Sequence, residues 1–190
     1  TITENKLKCE SIYENGVFTH NKIEDGDAVV IFSKKKVLQI AKQYSENNIK
    51  ASIIYGDLPP EVRRKQYDMF INKETKVLVT TDAIGMGVNL PIRRIIFLDT
   101  KKYDGEEIRP LTSQEVKQVA GRAGRLGIYD IGYVATVMDR QKFIKKRLEE
   151  EDRLIEEAVL GPSEAILNIK GLPLNEKLAL WSTRKEKSPL

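Results

Sequence analysis

Five short runs, AVVIF at 28–32, ASIIY at 51–55, KVLVT at 76–80, RIIFL at 94–98 and GYVATV at 132–137, are rich in β-branched residues and apolar almost throughout. A strand that is apolar at successive positions, rather than at every second one, is covered on both faces, and such strands belong to parallel sheets packed between helices. The stretches between the runs supply those helices: about Lys34 to Asn47, about Pro59 to Asn72 and Ser113 to about Arg125. Pro59-Pro60 marks one helix start, and Thr112 or Ser113 ahead of Glu115 is a cap for another. The alternation predicts an α/β fold with a doubly wound, mostly parallel sheet and helices on both faces, over about residues 24–138. Residues 1–23 form a lead-in, where the turn-like Glu14-Asn15-Gly16 between β-prone residues points to an added strand. From 139 to 190 the chain becomes a C-terminal helical extension. Residues 139–159 read as one long charged helix packed by a thin apolar stripe, and 160–181 as the start of a further, truncated helical module.

At 190 residues the chain is long enough for one core with an appendage. A net charge of +4 and an isoelectric point near 9.0 suit a polyanionic partner. With a single cysteine, Cys9, and a single histidine, His20, the chain forms no internal disulfide and no metal site is expected. No apolar run reaches 18 residues and the opening TITENKLKCE lacks a signal-peptide pattern, so no membrane partner is expected. The missing initiator methionine points to a piece of a longer protein. A bacterial cytoplasm is the expected compartment, with the mitochondrial matrix as the alternative.

In an open α/β sheet, ligands sit beyond the carboxyl ends of strands. Three such ends carry polar or glycine residues. KVLVTTDAIGMGVNLP, 76–91, leads into Thr81, Asp82, Gly85 and Gly87; the plain alternative is a capped helix start, and no dinucleotide fingerprint is present because the third glycine position falls on Leu90. IIYGDLPPEVRR, 53–64, places Gly56 where a backbone can approach closely, with Arg63 and Arg64 following; a simple turn explains it equally. VVIFSKKKV, 29–37, places Ser33 and three lysines past a strand, which is also what a solvated basic helix start looks like.

QVAGRAGRLG, 118–127, is more demanding. Each glycine inside a helix costs about 1 kcal/mol relative to alanine, so Gly121 and Gly124 need a reason. Gln118, Arg122 and Arg125 are spaced i, i+4, i+7, which puts them on one helix face, and arginine is the side chain for bidentate capture of phosphate. Nowhere does the chain contain G-x-x-x-x-G-K-[ST], the loop that wraps a nucleotide triphosphate. Arginines offered without a phosphate cradle suggest an arginine finger, a cation delivered to a nucleotide held by another domain.

Thr80 to Leu90 (TTDAIGMGVNL) and Gln118 to Arg125 (QVAGRAGR) resemble motifs V and VI of superfamily 2 helicases. VIFSKKK resembles motif IV, and YGDLPPEVRR the segment after the next strand. With IRRIIF at 92–97, KYDG at 102–105 and LTSQEVKQVAGRAGR at 111–125, the chain is similar to the RNA helicase family of the mitochondrial degradosome and its bacterial relatives. The resemblance covers about 24–138 in order and extends weakly through LGPSEAI. It implies a RecA-like fold, the second of two such domains in an ATP-dependent RNA helicase, with ATP and Mg2+ held mainly by the first. It implies Arg122 and Arg125 as arginine fingers, Gln118 near the γ-phosphate or attacking water, and Gly87 and Asn89 beside the nucleotide. Ser33, Lys34, Gly56 and Thr81 would hold the backbone of single-stranded RNA, and an exoribonuclease joins the implied partners. A DNA helicase motor domain and a non-enzymatic nucleic-acid-binding module are the competing readings.

Overall fold

The computed structural model describes residues 10–84, 88–125, 127–151, 166 and 168–182. Six strands form one wholly parallel sheet: β1 (Glu10–Val17), β2 (Asp27–Val30), β3 (Ala51–Ile54), β4 (Val77–Thr80), β5 (Arg94–Phe97) and β8 (Ile131–Thr136), in the order β1-β8-β5-β2-β4-β3. Between β5 and β8 lies a separate antiparallel hairpin of β6 (Lys101–Tyr103) and β7 (Ile108–Pro110). The helices are α1 (Lys34–Glu46), α2 (Pro60–Ile71), α3 (Ser113–Ala120), α4 (Gln141–Glu149) and α5 (Leu174–Ser182). The chain divides into two compact units, Thr1–Asp152 and Arg153–Leu190. Thus α4 falls in the first, where Ile144 is fully buried, and α5 is the helix described in the second. Among the described residues, no helix is long and apolar enough to cross a membrane.

The successive apolar positions of the central strands do what both-face burial requires. Every residue of β2, β4 and β5 is buried. Ala28, Val30, Leu78, Ile95 and Phe97 point to one core with α2, α3 and α4, while Val29, Val77, Val79 and Ile96 point to a second core with α1. Each such large side chain contributes roughly 1.5–3 kcal/mol by leaving water. The sheet border at β3 is closed by α2: Gln66 Oε1 accepts the Ile53 N–H at 2.8 Å, and the Ser52 hydroxyl donates to the Gln66 carbonyl at 2.9 Å.

Three expectations change. Glu14-Asn15-Gly16 is no turn: β1 runs straight through it and absorbs it as a bulge, since Tyr13 pairs with Val134 and Val17 with Thr136. The bulged Glu14 accepts from Arg94 at 2.9 Å, which fixes it. The charged helix begun at Gln141 ends at Glu149, followed by Glu150 in extended conformation; the rest of that predicted helix lies outside the described residues. And α3 stops at Ala120, five residues before Arg125. Gly121 is its C-cap, and Gly124, four residues past the helix, turns the chain with φ of 84°, a left-handed conformation suited to glycine.

One feature had no sequence signal. Asp27, fully buried at the start of β2, accepts from Arg94 at 2.6 and 3.1 Å and from Arg93 at 3.0 Å. Burial pushes its carboxyl pKa up, against the opposing pull of Arg94.

Candidate functional site

The carboxyl ends of β2, β4 and β3 are neighbours, so the loops that follow them meet at one edge of the sheet. Ser33 caps α1 through its backbone while its hydroxyl makes no capping bond. Lys34, exposed, lies 3.7 Å from Asp57 and over the Tyr55 ring. An ion pair this exposed is worth about 0–1 kcal/mol, so the ammonium exchanges readily to another anion. Gly56 is exposed and its carbonyl accepts from Arg63 Nη2 at 2.6 Å; nothing lies within 4 Å of where a side chain would begin. The fold itself therefore does not require glycine there. Thr81 donates its N–H to the Ile54 carbonyl at 3.1 Å, and its hydroxyl accepts from Ala83 N–H at 3.2 Å. The structure thus brings Ser33, Lys34, Gly56 and Thr81 to three adjacent strand ends. Asn89 is exposed and lines none of the cavities described below, and Gly87 lies outside the described residues.

Beside this edge opens a cleft of about 400 Å3 lined by Gly56, Arg63, Asp82, Lys102, Gln118 and Arg122. Its α3 wall starts at a capping box in which the Thr112 hydroxyl accepts the Glu115 N–H and the Glu115 carboxylate accepts the Thr112 N–H. The same carboxylate takes two bonds of 2.9 Å from Arg109 and lies 2.9 Å from Lys102. Arg109 above all holds the Glu115 pKa well below the usual carboxylate range. Lys102 also reaches Asp82 at 3.0 Å; burial pushes its pKa down, but the bonds to Glu115 and Asp82 outweigh that and raise it. The hairpin therefore ties the turn after β4 to the start of α3.

At the other end of α3 the chain is steered by close packing. Gly124 N–H donates to the Ile92 carbonyl at 2.8 Å, and a Cβ on Gly132 of β8 would stand 2.5 Å from the Ala123 carbonyl. Arg122 is left half-buried in the cleft with Gln118. Arg125 is elsewhere: it exchanges backbone hydrogen bonds of 2.8 Å with Tyr129 and lines a separate groove of about 330 Å3 with Gly26, Pro91 and Tyr129. The single helix face expected for Gln118, Arg122 and Arg125 does not exist, because the helix ends between them. Among the described residues neither guanidinium has a salt-bridge partner.

Chemically the cleft is a donor surface. Asp82 and Glu115 are held by Lys102 and Arg109, leaving the Arg122 guanidinium and the Gln118 carboxamide to meet acceptor oxygens. This fits the edge of a triphosphate. It does not fit the magnesium, since both acids are engaged and no group of three metal-ligating side chains occurs among the described residues. Lys102 escaped the sequence reading because its strand carries no apolar period, and Arg63 was legible only as a weak basic pair.

Residues 8–127 match the family described as helicase conserved C-terminal domain. The chain is 40% identical over 152 residues to "ATP-dependent RNA helicase SUV3, mitochondrial" of Saccharomyces paradoxus, covering 76% of this chain and 21% of that protein. It is 36% identical over 166 residues to "DExH-box ATP-dependent RNA helicase DExH18, mitochondrial" of Arabidopsis thaliana, covering 85% and 20%. The chain thus spans about a fifth of the length of these relatives. Among solved structures, the C-terminal domain of the DEAD-box protein Dbp5 superposes with a TM-score of 0.54 at 18% identity, over 76% of this chain and 88% of that one, a likeness of fold.

Proposed function

Because the chain belongs to the helicase conserved C-terminal domain family, we propose that it is the second RecA-like motor domain of an ATP-dependent RNA helicase. In this reading the first RecA-like domain of the same polypeptide holds ATP and Mg2+, and this domain completes the pocket from the other side. Arg122 neutralises charge developing on the terminal phosphate and Gln118 orients the attacking water or the phosphate itself. Arg125, whose groove is lined by Gly26 and Lys76 at the starts of β2 and β4, stays apart from this pocket and leaves the finger role to Arg122, while Asn89 and Gly87 lie beside the nucleotide. Ser33, Lys34, Gly56 and Thr81 grip the sugar-phosphate backbone of single-stranded RNA, which gives affinity without sequence choice. The open Cβ position of Gly56 suits that role, since only a partner outside this domain asks for the missing side chain. The relatives' names support RNA over DNA as the track, and the mitochondrial matrix over a bacterial cytoplasm as the compartment. An exoribonuclease partner belongs to the same proposal, checked by co-purification.

The observation that carries this reading is the pairing of an acid-free Arg122 with Gln118 in one open cleft adjoining the strand-end edge. In the complete polypeptide, Arg122→Ala is expected to lower kcat for RNA-stimulated ATP hydrolysis by about 10^3–10^5-fold while RNA binding persists. Turnover near the wild-type value in that variant refutes the finger assignment.

A further inference from the structure

At the opposite end of the sheet from the strand-end edge, the groove beside Arg125 has no task in the motor reading. Gly26 and Lys76 immediately precede β2 and β4, and Ile71 is the last residue of α2, so the groove opens at the amino-terminal end of the parallel strands. Its volume of about 330 Å3 suits a small molecule. Buried Phe70 and half-buried Pro91 line it together with Ile71 and Ile128, which are 39% and 52% exposed. One such isoleucine is ordinary on a surface; two lining a single concave space form apolar area that a ligand body would cover.

The polar groups here are cations and donors. Arg125 and Tyr129 pair across a short antiparallel bridge, which sends both side chains to the same side. The phenol lies against Gly26, where φ is 85° and a Cβ would stand 2.8 Å from the Tyr129 hydroxyl. Among the described residues that hydroxyl makes no hydrogen bond, and the side chains of Arg125 and Lys73 have no ion pair. Asp25, the acid lining the groove, is engaged by Lys76 at 3.4 Å. The carbonyls of Met69 and Phe70 near the end of α2, which would otherwise repel an anion, accept from the N–H groups of Lys73, Glu74 and Thr75. Three cations thus meet one paired acid beside an apolar lining, and charge complementarity asks for an anionic head on an apolar body.

We propose that this groove binds a small amphipathic anion, a carboxylate or phosphate monoester carried on an aromatic or aliphatic body. Arg125 and Lys73 hold the head, the Tyr129 hydroxyl donates to it, and Ile71 and Ile128 cover the body. The site goes beyond the motor reading and does not depend on it: an active Arg122→Ala enzyme would leave it standing.

A matched pair of dyes tests the proposal on the complete polypeptide. 8-Anilinonaphthalene-1-sulfonate carries a compact anion on an aromatic body, and N-phenyl-1-naphthylamine is the same body without the anion. The sulfonate is expected to bind saturably, read by fluorescence titration, and Arg125→Gln to weaken it by about 10-fold or more while the uncharged dye binds as before. Lys73→Asn is expected to weaken the sulfonate by about 3–10-fold. That variant also guards against misfolding, since its side chain is exposed and asparagine suits the left-handed backbone at this position, φ 60°. Ile128→Ser is expected to weaken both dyes. Absence of saturable sulfonate binding, sulfonate affinity unchanged in both charge variants, or an equal loss of both dyes in Arg125→Gln overturns the site. Displacement of the sulfonate by polyglutamate but not by 1-naphthoate would give the groove to an acidic polypeptide, and dye affinity that falls as protein concentration rises would give it to a second copy of the chain; either result overturns the small-ligand assignment.

Discussion

Glu115 gathers hydrogen bonds from Arg109, Lys102 and the Thr112 N–H, and through them sets the charge balance of the cleft. Its carboxyl pKa lies below the ordinary 4.5, chiefly because of Arg109. A carboxyl depressed in the folded state stabilises that state fully above its unfolded pKa, and the contribution disappears as pH falls through the folded value. The wild-type chain is therefore expected to lose stability on acidification below about pH 4.5, and Glu115→Gln to show a shallower acid dependence after an initial loss of about 1–3 kcal/mol at neutral pH. Melting midpoints from pH 7 to pH 3 measure this; parallel curves for the two proteins contradict it. The exposed Lys34–Asp57 pair has no such leverage, since water screens it.

Among the elements, the five parallel strands from β2 to β8 were legible to within a residue or two because continuous burial writes itself as continuous apolar sequence, whereas the half-exposed β1 was legible only as an added strand without bounds. The β6–β7 hairpin was not, because ion pairs hold it: Lys102 and Arg109 bind acids, while Tyr103 and Ile108 stay exposed. α3 was read too long for a different reason. Arginine spacing continues the helical period past Ala120, but Gly121 caps the helix and Gly124, with φ of 84°, then turns the chain away. Of the site, Gln118, Arg122 and Gly56 fall together in one cleft, although the resemblance gave Gly56 to RNA and the other two to the nucleotide, whereas Arg125 parts from them. The contact between Gly132 and Ala123 shows how an element far from the cleft edge governs it. Gly132→Ala forces the strand and the α3 exit apart, and is expected to destabilise the first unit by about 1–3 kcal/mol. Because the displaced backbone carries Arg122, RNA-stimulated hydrolysis is expected to fall in the complete protein beyond what the folded fraction explains. A variant with unchanged melting and unchanged turnover would show that the contact relaxes without consequence.

For the whole molecule, the proposed division of labour between two domains makes a prediction. The chain contains no phosphate-wrapping loop, its cleft acids are engaged, and it spans about a fifth of its relatives. The isolated 190-residue chain is thus expected to release no phosphate from ATP above background, with or without RNA, in a direct phosphate-release assay. Measurable turnover would mean that a complete site exists on this one domain. The fold at this scale was foreseen because alternating strands and helices leave few topologies open. The proposed partition of chemistry between two domains rests on a motif that the sequence does not contain rather than on any residue present. One last feature acts between molecules. An outermost parallel strand offers unpaired amides on which a second chain can build, the first step of fibril growth. At β3 the Gln66 carboxamide already occupies the Ile53 N–H, so a foreign strand arriving there finds that foothold taken.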